Sequence, residues 1–506
     1  MRKKWLWAVL PALLALLVAL LLLAESSAPA ATITTVPSAL WYLLTTLTTV
    51  GYGDCYPVTA AGKAVGAVFQ IMSIGLLGLL IGFLASYLRT AAWERLRLSM
   101  LSGRTWYVFS EKNEASLCLA EALAKEDPKR VLLFALTKDE PGVGRASALS
   151  AEELCRRKKN GDFCLFCVSE RDTENERLAN SVENGRVYCK SACFSERLSE
   201  HRQRFDPVEL CARVYWNRFP LRSPQETILL IGDGRWAEAI LLYGLLRNIL
   251  DPAQHVRYVC AGDYSDFLRR HPQMEQVLEV DQKFGGKDEL RFLTHWDEDP
   301  ALLESADRIV FCGRSEEQTR RTLTQLRRCF AVTGAVHARL SAAVDGAECF
   351  GAASELYTPE LVMRASLSTL AVKLNERYRE GNPVAPGWNE LSDFARRSNL
   401  AAADHLLMKV RLLAQKYGAE SALKTLLERY RNAAPEEKDR YRRIEHARWC
   451  RFHYLNGWQY GERRDNEKRL HPLLVPFDRL SLAEQEKDDY GWEAVILTMM
   501  RETDEK

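Results

Sequence analysis

Thr49, Val50, Gly51, Tyr52 and Gly53 stand in a row, followed by Asp54, inside the stretch TTLTTVGYGDCYP. The chemistry this row offers is that of oxygen atoms. Successive carbonyls of Thr49, Val50, Gly51 and Tyr52, aimed one way, replace the water around a cation, and the Thr49 hydroxyl adds a further oxygen. Gly51 and Gly53 permit the left-handed torsions that such aiming requires. The side chains of Val50 and Tyr52 then face outward and brace the loop. One loop cannot ring an ion, so several copies of the chain must meet around it.

The loop lies between two uncharged apolar runs, 5–23 (WLWAVLPALLALLVALLLL) and 64–88 (AVGAVFQIMSIGLLGLLIGFLASYL). Each is long enough to cross a hydrocarbon core as a helix. Pro11 is tolerable there, because neighbouring helices satisfy the freed carbonyl. Arg2, Lys3 and Lys4 precede the first run, and Arg89, Arg95 and Arg97 follow the second, while Lys63 is the only basic residue between them. The positive-inside rule puts both termini in the cytoplasm and the loop outside. A signal peptide is the competing reading of 5–23, and it leaves the second run without a partner helix. The segment 36–47 (VPSALWYLLTTL) suits a short helix dipping into the membrane, its carbonyl end toward the centre, where partial negative charge favours a cation.

The whole chain has 506 residues, room for three or four domains. Lys and Arg total 69 against 67 Asp and Glu, a formal net charge of +2, which argues against a nucleic-acid partner. Of 13 cysteines all but Cys55 follow the second apolar run, on the reducing side. Cys164 and Cys167 form a CxxC, with Cys189 and Cys193 after it. Residues three apart on a strand point to opposite faces, so buried free thiols are favoured over zinc there.

TVGYGD, preceded by Trp41 and Tyr42 and followed by YPVT, resembles the potassium-channel signature over about residues 36–88. The resemblance implies K+ as the permeant ion, Thr49–Gly53 with Asp54 as the filter, a homotetramer and a lipid bilayer around it. The hinge glycine of that family falls on Ser73 when counted without gaps. Gly75 and Gly78 follow as further candidates for the gating hinge. Thr45 stands where some relatives hold a carboxylate behind the filter, so any brace to Asp54 must differ. The expected location is a prokaryotic-type inner (plasma) membrane.

Helical spacing continues from 86 to Gly103 without a breaker, a stiff connection able to carry force. Strand-like and helix-like stretches then alternate: 106–110, 114–124, 130–136, 162–168 and 186–190, and again from Glu226 (ETILLIGDGRWAEAILLYGLL, VRYVCAGD, DRIVFCGR, AVHARLS). Such alternation implies parallel sheets with helices on both faces. Two doubly wound, Rossmann-like lobes behind a pore resemble RCK domains, which regulate potassium conductance. The first lobe has no glycine in its first turn (SEKNEAS). The second has Gly232 and Gly234, with Asp263 just past its second strand, where a dinucleotide phosphate and ribose could be held. The same glycines also serve plain strand–helix packing.

A long helix is expected over 359–379. Beyond 383 the pattern is mainly helical, and IEHARWC, GWQYG, HPLLVPF and EKDD resemble the ryanodine-receptor repeat domain. His446, Trp449, Trp458, Tyr460, Arg463, His471 and Asp488 combine aromatic faces with a few charges. That set suits a flat, charged ligand such as a nucleotide, or equally a small helical domain with an aromatic core. The expected domains are 1–100 (pore), 101–222 and 223–357 (lobes), 358–384 (connecting helix) and 385–506 (ligand-sensing). No HExxH, P-loop or nucleophile elbow occurs, so an enzyme is not expected. The expectation is a ligand-gated potassium channel. The alternative is a membrane-anchored nucleotide-binding or nucleotide-hydrolysing regulatory protein with a non-conducting pore.

Overall fold

Short apolar runs, alternating with amphipathic stretches, build two large sheets in which every strand pairing is parallel. The computed structural model describes residues 15–101, 103–138, 141–158, 160–192, 201–418 and 423–492. The chain divides into two compact units, Met1–Gly103 and Arg104–Lys506.

The first unit contains α1 (residues 15–25), α2 (Val36–Leu47) and α3 (Ala60–Met100). Thr35 and Ser38 form a capping box at the start of α2, where Pro37 lacks only an N–H the helix does not need. With 41 residues α3 is about 60 Å long at 1.5 Å per residue. Leu17, Leu21, Ile33, Ala39, Tyr42, Leu43 and Phe69 form a small core. Many large apolar side chains remain exposed, among them Leu20, Leu40, Leu44, Ile71 and Ile74. Among the described residues no helix is long and apolar enough to cross a membrane. Residues 5–14 of the first expected span, and the side chains at 76, 79, 80, 83, 84 and 86–96 in and beyond the second, lie outside the described residues.

The second unit holds both sheets. The first is built from β1 (Trp106–Phe109), β2 (Val131–Phe134), β3 (Arg145–Ala146), β4 (Phe163–Cys167), β5 (Arg186–Lys190) and β6 (Arg202–Phe205), ordered β3-β2-β1-β4-β5-β6. The second lobe contains β7 (Thr227–Ile231), β8 (Arg257–Ala261), the small pair β9 (Glu279–Asp281) and β10 (Gly286–Lys287), then β11 (Glu289–Leu293), β12 (Arg308–Phe311), β13 (Ala335–Arg339) and β14 (Glu348–Phe350). Its main sheet runs β11-β8-β7-β12-β13-β14, the same doubly wound order. Four expected strands of the first lobe lie on β1, β2, β4 and β5. The edge strands β3 and β6 were not legible: RA and RQRF are half-exposed and polar.

The thiols of Cys164, Cys167 and Cys189 are buried in the first sheet, and burial pushes Cys164 up to about 11 and Cys189 to about 12. Cys193 lies outside the described residues. The long helix expected over 359–379 is broken. Pro359–Val362 is one short helix, Ala365 turns left-handed at φ 47°, and Thr369–Gly381 starts anew. Reversal at Ala365 lets Arg213 Nη2 donate to the Leu367 carbonyl at 2.5 Å.

Past that turn, the helices Asp393–Tyr417 and Pro435–Leu455 pack on the second lobe. Buried charged side chains hold them there. Arg451 donates to the Leu245 carbonyl at 2.9 Å and to Asp288 at 2.8 Å. Asp288 also accepts from Gln254 and from the Val256 N–H. Arg213 forks onto Asp404, and Arg443 reaches Asp281 at 3.0 Å. Removing one partner of a buried pair strands the other charge, at a cost of about 3–5 kcal/mol. Arg451→Ala is therefore expected to lower unfolding stability by that amount, read by denaturant titration, while Arg269→Ala, on an exposed helix, leaves it within about 0.5 kcal/mol.

Candidate functional site

The loop after α2 is built by its own backbone. Val50 and Gly51 both donate to the Thr45 carbonyl, at 2.9 and 3.2 Å, folding the chain back against the end of the helix. Thr49, Gly51 and Gly53 have φ of 58°, 55° and 77°, while Val50 and Tyr52 stay on the negative side. The sign of φ thus alternates through the loop. The glycines were legible as the left-handed positions. Thr49 was not, since a threonine at positive φ is a rare, strained conformer.

The loop is braced from outside. Trp41 Nε1 donates to Asp54 Oδ2 at 2.8 Å, and the Trp41 ring stacks on Tyr52 at 5.8 Å between centroids. That indole is the brace to Asp54 which Thr45 cannot supply: the Thr45 hydroxyl is turned to the Tyr42 carbonyl. Below the loop, buried Glu25 accepts from the N–H groups of Val58 and Thr59 and from the Thr59 hydroxyl, satisfying the entry to α3. A Cβ on Gly62 would lie 2.1 Å from the Glu25 carboxylate, so a larger residue there would have to displace that side chain. A lone carboxylate directly after an uncharged run was the available signal for Glu25. The hinge candidates Ser73, Gly75 and Gly78 lie inside α3, which passes through them as one uninterrupted helix. The Ser73 hydroxyl donates to the Gln70 carbonyl.

In the first lobe the turn after β1 is capped by Asn113, whose amide also donates to Glu111 and the Val168 carbonyl. In the second, Gly232 serves packing: a Cβ there would meet the Cys312 carbonyl at 2.4 Å. Gly234, at φ 77°, caps the helix Arg235–Arg247 with no side-chain bond to its first N–H groups. Asp233 beside it is forked by Arg314 at 2.7 and 3.1 Å. Asp263 is turned onto the Ser265 N–H and hydroxyl.

Along the helix Pro435–Leu455, His446, Trp449 and His453 form one stripe. Trp449 lies 4.0 Å from His453 and 4.9 Å from His471 between ring centroids. His453 meets Trp458 at 5.4 Å, and Phe394 stacks on the same indole at 5.4 Å. His446 Nε2 donates to the Val475 carbonyl at 2.8 Å, and its Nδ1 stands 3.8 Å from Asp488. The structure thus brings His446, Trp449, Trp458, His471 and Asp488 together. It leaves Tyr460 and Arg463 outside, exposed on and after β15 (Gln459–Tyr460), which pairs with β16 (Leu470–His471). His453 and Phe394 complete the cluster and were missed. His453 could have been found as the i+7 partner of His446.

Burial keeps the cluster neutral. It lowers His446 and His471, takes His453 down to about 3, and raises the Asp488 carboxyl well above the usual carboxylate range. Behind it Glu445 shows the opposite outcome. Burial opposes its charge, but Arg448, Lys409 and His405 hold it well below the usual range. The cluster is an aromatic core with a few polar tips rather than a charged cleft.

The comparisons with known proteins fall on these two regions. Residues 12–90 match the family described as Ion channel, and residues 424–502 match the RyR domain. A 51-residue stretch is 45% identical to a voltage-gated potassium channel regulatory subunit of Homo sapiens, covering 10% of this chain and 12% of that protein. A 58-residue stretch is 41% identical to the calcium-gated potassium channel TvoK of Thermoplasma volcanium, covering 12% of this chain and 17% of that one. The chain thus spans less than a fifth of the length of these curated relatives. The solved GsuK channel aligns over 72% of this chain and 100% of its own, at 14% identity and TM-score 0.34, a superposition that does not establish a shared fold.

The neutral His453 makes stability depend on pH. An unfolded histidine takes up a proton near pH 6.5, and the folded one refuses it until about pH 3. The stability it contributes is complete above pH 6.5 and is lost as pH falls below that value. At pH 5 this amounts to about 2 kcal/mol. His453→Phe is expected to flatten the dependence of unfolding stability between pH 7 and pH 5. An unchanged slope in a folded variant contradicts this assignment.

Proposed function

We propose that the chain is one subunit of a homotetrameric, potassium-selective channel of the plasma membrane, gated by a small ligand bound on Arg104–Lys506. The carrying observation is the alternating sign of φ through Thr49–Gly53, within the segment that matches the ion-channel family. Four such loops place rings of carbonyls from Thr49, Val50, Gly51 and Tyr52 around dehydrated K+. Trp41, holding Asp54 and stacking on Tyr52, sets the width of that ring from behind. Exposed apolar side chains on α1–α3 are the surface that bilayer and neighbouring subunits cover. Both termini are cytoplasmic in this reading.

Gating follows from differential affinity. A ligand, of nucleotide type, that binds one arrangement of the RCK-like lobes better than another shifts the closed–open equilibrium. Moving a channel from 1% to 99% open requires about 5.5 kcal/mol, or roughly 1.4 kcal/mol from each of four subunits. The gating hinge of α3 is assigned in this reading to Ser73–Gly78, where Gly75 and Gly78 weaken an otherwise continuous helix. With Gly232 committed to packing, the second-lobe turn offers Gly234 and the bare N–H groups behind it, with Asp263 beside them.

Planar bilayer recording of the reconstituted full chain tests this. Potassium current well above sodium current is expected, and Gly51→Asp is expected to abolish it in particles that still run as tetramers on size exclusion. A Gly51→Asp current equal to that of the parent chain would sink the reading.

A further inference from the structure

Where the edge strand β6, the turn at Ala365 and the start of the helix Asp393–Tyr417 meet, they enclose a cavity of about 460 Å³. That is the size range of small-molecule sites. Seven cationic side chains line it against four carboxylates, and two of the seven, Arg213 and Arg364, are paired with carboxylates outside the lining, Asp404 and Glu126. Three of the four lining carboxylates already have partners. Asp206 accepts from the Val208 N–H and from Arg235, Asp393 is paired with Arg397, and Glu209 lies 3.9 Å from Arg213.

Arg396 has no such partner. Its side chain is 5% exposed and lines the cavity. It donates only to the carbonyls of Trp388 and Leu391, at 3.4 and 3.3 Å. Its Nε has no hydrogen-bond partner, and among the described residues no carboxylate comes within ion-pair distance. The guanidinium lies over the Trp388 ring at 5.7 Å; burial disfavours its charge, Asp393 favours it from beyond contact, and Arg204 opposes it. A buried arginine with no carboxylate in hydrogen-bond contact is costly unless an anion completes it. Arg204 and Lys373 are cations lining the same cavity.

We infer that this cavity binds a phosphate-bearing anion of nucleotide size, with Arg396, Arg204 and Lys373 as its phosphate ligands. Guanidinium forks match phosphate oxygens two at a time. The Gln203 amide, held by the Val362 carbonyl at 2.7 Å, and Trp388 form neutral wall. An occupant here contacts the first lobe through β6, the reversing turn, and the C-terminal helices. It would therefore tie together segments far apart in sequence. The site is separate from the Gly234 turn and from the Trp449–Trp458 cluster, and it does not depend on whether the pore conducts.

The test is thermal unfolding of the detergent-solubilised full chain at fixed ionic strength, with ATP, pyrophosphate and adenosine as probes. ATP and pyrophosphate are expected to raise the midpoint, and adenosine is not. Arg396→Gln and Lys373→Ala are each expected to weaken apparent affinity at least tenfold, while Arg314→Ala, beside Gly234, leaves it unchanged. Should Arg396→Gln fail to fold, Lys373→Ala and Arg204→Ala decide, because both side chains are partly exposed. No shift with either phosphate probe overturns the inference. So does a shift that survives both of those variants, or one that Arg314→Ala removes. Binding lost on Lys373→Ala in a chain that carries no potassium current upholds this site while the channel reading fails.

Discussion

A charge taken out of water must be answered by another charge or by several dipoles, and the larger unit is organised by that demand. Arg451 has no exposed surface, and neither does the side chain of Asp288 that meets it. Their pairing fixes the helix Pro435–Leu455 against the second lobe. Arg443 with Asp281 repeats the device on the same helix, and Arg213 with Asp404 applies it between the helices Pro207–Arg218 and Asp393–Tyr417. Each pair is satisfied in one register only, so the contact has a defined geometry as well as an apolar core. Hydrophobic burial supplies the driving force, and the ion pairs select the arrangement.

The same demand, unmet, marks Arg396. Arg213, Arg308, Lys409, Arg443, Arg448 and Arg451 each meet a carboxylate, whereas Arg396 is offered two carbonyls and an indole face, and Arg247 likewise has no ion pair among the described residues. In the smaller unit the demand falls on backbone. The loop after α2 has too few internal partners, and it is held by the Thr45 carbonyl, the Trp41 indole and the Glu25 carboxylate. Neighbouring residues supply most of the answers there, and distant ones supply them in the larger unit.

That difference explains what the sequence could tell. The loop Thr49–Gly53 was readable because its chemistry is local: the glycines, the tyrosine and the tryptophan that braces them lie within a few residues of one another. Parallel sheets were readable because strand runs such as 163–167 (FCLFC) are apolar and follow turn residues. Polar edge strands such as β6 gave no such pattern. The aromatic set from His446 to Asp488 was readable by residue type, but its burial was not, because Phe394 and the Val475 carbonyl close it from outside the stripe. The break at Ala365 escaped notice because alanine gives no warning of a left-handed turn. The cavity around Arg396 was illegible for the same reason as the ion pairs: three separated segments assemble it.

Sequence separation also sets an order of events. Arg213 and Asp404 are 191 residues apart. At ribosomal speeds of about 5–20 residues per second, Arg213 waits roughly 10–40 s for its carboxylate to be synthesised. Through that interval the first lobe carries an arginine whose native burial place does not yet exist, so the helix Pro207–Arg218 cannot settle into its final packing. That one helix is therefore completed only after residue 404 has been made, and a chain truncated before Asp404 would leave the ribosome with Arg213 lacking this partner.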